Sequence, residues 1–234
     1  HTYTTGGLYT VTLTVSNILG CTLTISKPNF VEILSAPTTL FSTSDVEGCT
    51  PFSLTLTDQS IGNSAPIVAW AWDFGDGNTS NAFNPSHTYM APVTYTIELT
   101  TTDNNGCSSS HTEVVRSLEL PEADFFTTDT LGCAPIAVSF QDLSSGAANI
   151  VGWEWDFGDG NTSTLQNPTH TYLNDGIYTV SLVITDQNGC VDTLIKPDYI
   201  RLSNPTPAFT LDQPAGCPGL LVQFTDLSVA DTTL

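Results

Sequence analysis

Basic residues are almost missing from this chain: Lys and Arg together number 4 among 234 residues, against 24 Asp and Glu, for a formal charge of -20. Nucleic acid and anionic membrane surfaces are therefore excluded as natural partners, because almost nothing is available to neutralise phosphates. A run of 18 apolar residues is missing as well, so no membrane insertion is expected in this segment. No signal-peptide pattern opens the sequence. His1-Thr2-Tyr3 already lies inside a pattern that recurs later, so the expectation is a piece of a longer chain, exported and anchored by signals elsewhere. Convincing helical periodicity is absent too. Charged residues make up only 12% and hydrophobic ones 40%, too apolar for disorder. What remains is an acidic, Thr- and Ser-rich chain with enough residues for one or two cores. Such a surface stays soluble by mutual repulsion and attracts Ca2+ from a calcium-containing medium.

Internal repetition organises everything else. His-Thr-Tyr occurs at 1, 87 and 170, Trp72 recurs as Trp155, and Gly-Cys recurs at 48–49, 132–133 and 216–217. A second Gly-Cys series stands at 20–21, 106–107 and 189–190. All share a period near 84 residues, which marks tandem duplication of a small domain with its own core. Proline-bearing junctions at 35–39, 120–124 and 204–208 divide the chain. The expected organisation is the C-terminal part of one repeat (1–34), two complete repeats (35–120 and 121–204), and the N-terminal part of another (205–234).

Within a repeat, apolar residues alternate with polar ones. Tyr178, Val180, Leu182 and Ile184 share one face, and Tyr95, Ile97 and Leu99 copy it, as do Tyr9, Val11, Leu13 and Val15. Ile136, Val138 and Phe140 match Phe52, Leu54 and Leu56, then Leu220, Val222 and Phe224. These are half-buried strands bounded by Gly, Asn, Asp and Pro turns. About seven such strands per repeat predict an all-β, two-sheet sandwich.

The most distinctive string, WAWDFGDG at 70–77, returns as WEWDFGDG at 153–160. Val68, Trp70 and Trp72 are spaced by two, as are Val151, Trp153 and Trp155, which places each set on one side of a strand and the tryptophans in the core. Asp73, Gly75, Asp76 and Gly77, with Asp156, Gly158, Asp159 and Gly160, then read as a structural turn: the glycines supply backbone conformations barred to other residues, and the carboxylates cap local amides. Two catalytic carboxylates would need dissimilar environments and a cleft, and a tip repeated identically offers neither. The alternating oxygen donors of an EF-hand loop are also missing. His87 and His170 have no Cys or His partner at ligand spacing and read as strand-end residues bonded to a neighbouring carbonyl. No catalytic residue is assigned.

W-x-W-D-F-G-D-G-N-T-S, followed by N-P-[ST]-H-T-Y and Y-T-[IV]-x-L, resembles the polycystic-kidney-disease (PKD) domain family over both complete repeats. The resemblance implies tandem immunoglobulin-like β-sandwiches in an extended array, with Tyr89 and Tyr172 joining the tryptophans in the core. It also implies an extracellular spacer or adhesive module. The version with Gly-Cys before the strand that carries Phe52 and Ile136, and Asn-Gly-Cys after the strand that carries Tyr95 and Tyr178, is similar to repeats of giant Bacteroidota surface proteins, gliding-motility adhesins among them. Tyr95 lacks the usual preceding Gly, and Leu19 replaces the Asn before Gly20-Cys21.

Six cysteines at fixed spacing in such a chain favour disulfides. Pairing within a repeat, Cys49 with Cys107 and Cys133 with Cys190, is the simplest arrangement. Immunoglobulin topology separates those two turns by the length of the sandwich, roughly 20 Å, against a Cα limit of about 7 Å. The alternative joins Cys49 of one repeat to Cys190 of the next, leaving Cys21, Cys107, Cys133 and Cys217 for repeats outside the fragment. Free thiols are the third reading.

Weaker sites complete the inventory. Asp58 and Asp142, just after the Phe52–Leu56 and Ile136–Phe140 alternation, with Asp103 and Asp186 near the last turn, are candidates for Ca2+; no cofactor is required. Asp-Thr-Leu and Asp-Thr-Thr strings resemble the Bacteroidota O-glycosylation motif at Thr130, Thr193 and Thr232. The reading for the whole is a non-enzymatic stalk or fibre segment of a large extracellular adhesin or surface filament. Its partners would be other repeats of the same chain, surface polysaccharide, or lateral copies of itself. The alternative is a set of carbohydrate-binding accessory repeats of a secreted polysaccharide-acting enzyme, which would expose a coplanar pair of tryptophans.

Overall fold

The computed structural model describes residues 1–229, and strands account for all of its regular structure there. Two compact units divide the chain, His1–Leu118 and Glu119–Leu234.

The first unit begins with a hairpin of β1 (Gly7–Ser16) and β2 (Thr22–Ile33), paired antiparallel with a bulge between Tyr9 and Val11. A complete sandwich follows. One sheet orders β3 (Phe41–Thr43), β5 (Phe52–Asp58) and β8 (Ser86–Tyr89). The other orders β4 (Glu47–Cys49), β10 (Ser108–Leu118), β9 (Thr94–Asp103), β6 (Ile67–Asp73) and β7 (Thr79–Ser80). All pairings are antiparallel except β4 with β10, which sets Cys49 opposite Leu118, the unit's last residue. Cys49 and its counterpart Cys133 thus end a strand rather than occupying a turn.

In the second unit β11 (Phe125–Phe126) pairs with β14 (Gln141–Asp142), and β13 (Ile136–Ser139) with β17 (Thr169–Tyr172). The larger sheet runs β12 (Leu131–Cys133), β19 (Val191–Ser203), β18 (Gly176–Asp186), β15 (Ile150–Asp156) and β16 (Thr162–Ser163). A hairpin of β20 (Phe209–Leu211) and β21 (Phe224–Asp226) ends it. Each complete repeat is an immunoglobulin-like sandwich.

The alternating residues close the cores. Ile97 and Leu99 of β9 meet Phe52, Leu54 and Leu56 of β5, and Val180, Leu182 and Ile184 of β18 meet Val138 and Phe140. Each of these large side chains contributes about 1.5–3 kcal/mol by leaving water. The copies of these faces outside the complete repeats behave differently. Among the described residues β1 and β2 pair only with each other, so Leu13 and Val15 stay 59% and 52% exposed, and Phe224 of β21 is 60% exposed.

Candidate functional site

Strand β6 delivers the repeated string to the sandwich tip, and β15 does the same in the second unit. Trp72 and Trp155 are each 1% exposed, and their indole N–H groups donate to the carbonyls of Ala82 and Leu165 at 2.9 Å. Trp70 and Trp153 are only half-buried against the same cores. Val68 and Val151, expected on that face, are 54% and 60% exposed. A β-bulge between Ile67 and Ala69, repeated between Ile150 and Gly152, shifts the register and turns the valines outward. No exposed coplanar pair of tryptophans forms.

At the tip, Asp73 Oδ1 accepts the Gly75 amide at 2.8 Å, and Asp76 Oδ1 accepts the Asn78 amide at 3.0 Å. Gly75 lies at φ 78°, where an added Cβ would collide with the Thr96 carbonyl, so this turn needs glycine. Gly77 needs it for backbone conformation alone, at φ 91° with open space around it. The second unit repeats the set: Asp156 to the Gly158 amide, Asp159 to the Asn161 amide, with Gly158 and Gly160 at φ 82° and 90°.

The histidines hold this turn from behind, through a side-chain contact rather than the carbonyl expected from sequence. His87 Nε2 meets Asp76 Oδ2 at 2.8 Å, and Asn78 Nδ2 donates to the same oxygen at 3.0 Å. The imidazole stacks on Phe74 at 4.1 Å with the planes 4° apart. Tyr89, fully buried, donates to the Phe74 carbonyl at 2.8 Å. His170, Phe157 and Tyr172 reproduce the arrangement around Asp159. Burial pushes the Asp76 and Asp159 carboxyls upward, yet hydrogen bonds and charge from the asparagine and histidine outweigh it and leave both below the usual range. Burial drives the Tyr89 and Tyr172 phenols far up, so they stay protonated donors. Both carboxylates at each tip are committed to the fold.

The four aspartates proposed for Ca2+ are also engaged. Asp58 Oδ1 accepts the Ser60 amide at 3.0 Å and Oδ2 accepts the Trp70 indole at 2.9 Å. Asp142 does the same for Ser144 and Trp153, and Gln166 Nε2 adds a third donor at 3.0 Å. Burial raises the Asp142 carboxyl, but these bonds win and lower it. Asp103 Oδ1 caps the amides of Asn105 and Cys107, and Asp186 Oδ1 those of Asn188 and Cys190. In the hairpin turn between β1 and β2, Asn17 Oδ1 caps Leu19 and Cys21 in the same way. A neutral amide does this job as well as a carboxylate, so the position serves turn geometry. Asp103 Oδ2 is buried with no hydrogen-bond partner, and no cluster of three metal-ligating side chains occurs among the described residues.

Cys49 and Cys190 are each disulfide-bonded, whereas Cys21, Cys107, Cys133 and Cys217 are free thiols. The within-repeat pairs are therefore not formed. Of the threonines with the glycosylation-like motif, Thr193 is exposed on β19, Thr130 is half-buried with its carbonyl bonded to the Arg201 amide, and Thr232 lies outside the described residues.

The model for the PKD domain matches residues 35–117 and 119–201. This chain belongs to the PKD-domain family. The PKD repeats are 28% identical over 152 residues to the pre-pro-metalloprotease PrtV of Vibrio cholerae, covering 64% of this chain but 16% of that protein. A microbial collagenase of Vibrio alginolyticus is 42% identical over 69 residues, covering 29% of this chain and 8% of the collagenase. The chain thus spans a small fraction of these relatives. Among solved structures, the PKD1 domain of Vibrio cholerae PrtV is 28% identical with a TM-score of 0.33, covering 36% of this chain and 99% of that domain. The PKD1 domain of Vibrio anguillarum Epp is 28% identical with a TM-score of 0.34, covering 37% and 99%.

Proposed function

We propose that this chain is a non-catalytic stalk segment of a long extracellular protein, a surface adhesin or filament in which PKD repeats hold a distal binding element away from its anchor. The observation that carries the reading is the commitment of the repeated acidic tip. Asp73, Asp76 and their counterparts Asp156 and Asp159 are held by backbone amides, asparagine and histidine in both repeats, so the motif that invites chemistry is used as architecture. The matches to proteases support an accessory role, because they lie in repeats that form only a small part of those proteins. Gliding motility or attachment is the proposed setting, drawn from the likeness of the cysteine-bearing repeats to Bacteroidota surface proteins. Surface polysaccharide and lateral copies of the chain are the proposed contacts.

Cys49 and Cys190 are proposed to be each other's partners, a covalent link from one repeat to the next. What supports it is the oxidation of one cysteine per complete repeat while Cys107 and Cys133 stay reduced. Cys133 and Cys107 would then make the same link to flanking repeats. Non-reducing peptide mapping tests the pairing: a Cys49–Cys190 peptide is expected, and a Cys133–Cys190 peptide would overturn it. Rotary-shadowed images of the intact protein test the stalk. A thread of beads roughly 40 Å apart, the length of one sandwich, is expected; a compact particle would refute it.

A further inference from the structure

We propose that the junction between the two complete repeats is a hinge, centred on Glu119 and Leu120 and locked by oxidation of Cys49 and Cys190, whereas the junction entering the first complete repeat is fixed by side-chain hydrogen bonds. The hinge follows from the hydrogen bonds of each repeat; its lock rests on the Cys49–Cys190 pairing proposed above.

Both junctions lead into the same scaffold. Thr38 exchanges two backbone hydrogen bonds with Ile61, at 2.8 and 2.9 Å, and Glu122 exchanges two with Ser145, at 2.7 and 3.0 Å. Ile61 and Ser145 belong to the loops before β6 and β15, and the far end of each loop is held as well. The Pro66 carbonyl accepts the Asn104 amide, and the Asn149 carbonyl accepts the Gln187 amide. Each loop is therefore a fixed ledge beside the incoming chain, but the two ledges offer different chemistry. In the first repeat Asn63 Nδ2 donates to the Ala36 carbonyl at 2.6 Å and to Thr38 Oγ1 at 3.1 Å, and Ser64 Oγ accepts the Ser35 amide at 2.8 Å. In the second, Gly146-Ala147-Ala148 stand where the first has Gly62-Asn63-Ser64-Ala65. That loop is shorter and has no side chain able to hydrogen-bond to the incoming chain.

The unattached stretch differs accordingly. β2 ends at Ile33 and the Ser35 amide is already held, so only Leu34 stands between them. β10 ends at Leu118, and the next backbone hydrogen bond is made by Glu122; Glu119, Leu120 and Pro121 make none among the described residues. Ser35 and Ala36 are half-buried, whereas Glu119 and Leu120 are exposed. Pro121 fixes its own φ and narrows the choices of Leu120, which leaves Glu119 the freest residue. The division into compact units falls at the same point, after Leu118, while the hairpin of β1 and β2 stays with the first complete repeat. Exposed backbone without hydrogen bonds is where local motion concentrates. Cys49 lies opposite Leu118, the residue before the hinge, and Cys190 stands beyond it, between β18 and β19. A bond between them adds a second tether in parallel with Glu119 and Leu120, and two tethers stop the joint from swinging.

The test is 15N relaxation of the 234-residue chain, read as backbone order parameters at Ser35, Ala36, Glu119 and Leu120. Three proteins are compared: the oxidised wild type, Cys49→Ser, and the double variant Asn63→Ala, Ser64→Ala. Ser35 and Ala36 should sit near the rigid value of about 0.85 in the wild type and in Cys49→Ser. Glu119 and Leu120 should fall below about 0.6 in Cys49→Ser and rise toward the rigid value in the oxidised wild type. The double variant, confined to a surface loop, should drop Ser35 and Ala36 below about 0.6 and leave Glu119 and Leu120 as they are in the wild type. Glu119 and Leu120 as ordered as Ser35 and Ala36 in Cys49→Ser, or Ser35 and Ala36 unmoved by the double variant, would overturn the hinge. If peptide mapping finds the Cys49–Cys190 bond and Glu119 and Leu120 stay below about 0.6 in the oxidised wild type, the lock is refuted while the pairing stands.

Discussion

At the scale of single residues, the tip of each PKD repeat shows how a motif rich in carboxylates becomes architecture. The proton balance of Asp76 and Asp159 gives this a measurable form. Both carboxyls titrate below their ordinary range in the folded chain, because the asparagine and histidine bonds outweigh burial. A depressed folded-state value means stability that is present above the unfolded pKa of about 3.9 and lost as pH falls through the folded value. Denaturant midpoints should therefore decline steeply below about pH 4, and the Asp76→Asn, Asp159→Asn double variant should show a shallower acid limb. Equal slopes would show that these bonds do not carry the shift. Tyr89→Phe removes the donor to the Phe74 carbonyl, a buried acceptor, and should cost about 1–3 kcal/mol by denaturation. His87 was legible as a non-catalytic residue, but its partner was not. The contact to Asp76 joins β8 to a turn 11 residues earlier, and no local pattern announces it.

At the scale of strands, Trp70 and Trp72 differ by two positions and by much more in burial, so their truncations should separate. Trp72→Ala empties a site that is 1% exposed and should cost about 3–5 kcal/mol. Trp70→Ala removes a half-buried ring whose partner, Asp58 Oδ2, can turn to water, and should cost less than half as much on the same denaturation assay. Comparable losses would show that the difference in burial does not set the cost. The strands themselves were plain in the sequence, since period-two alternation at Ile97, Leu99, Val180, Leu182 and Ile184 reports directly which side chains leave water. Alternation failed at Val68 and Val151 because it assumes unbroken pairing, and a bulge inserts one residue without marking the sequence. The parallel pairing of β4 with β10 escaped for another reason: it joins residues 69 apart, Cys49 beside Leu118 and Gly48 beside Ser117, and parallel partners leave no turn signal.

At the scale of the whole molecule, the cysteines decide how the array would respond to load. The proposed Cys49–Cys190 bond gives tension a covalent route past about 140 residues, which include most of both complete repeats. Pulled from its ends in oxidising buffer, the chain can then lengthen only through the residues outside that bridge. Reduction opens the shielded stretch, and each repeat of about 80 residues can pay out roughly 270 Å of extended backbone, less the length of the folded sandwich. Force spectroscopy on the 234-residue chain should therefore record two unfolding steps of that size in dithiothreitol and neither in its absence. A Cys49→Ser variant should give the reduced pattern under both conditions. Serine fills nearly the same volume, so the sandwich core is left intact while the covalent route is gone. Two full steps from the oxidised wild-type chain would mean that load passes through each sandwich in turn, leaving its resistance to the hydrogen bonds and cores of the individual repeats.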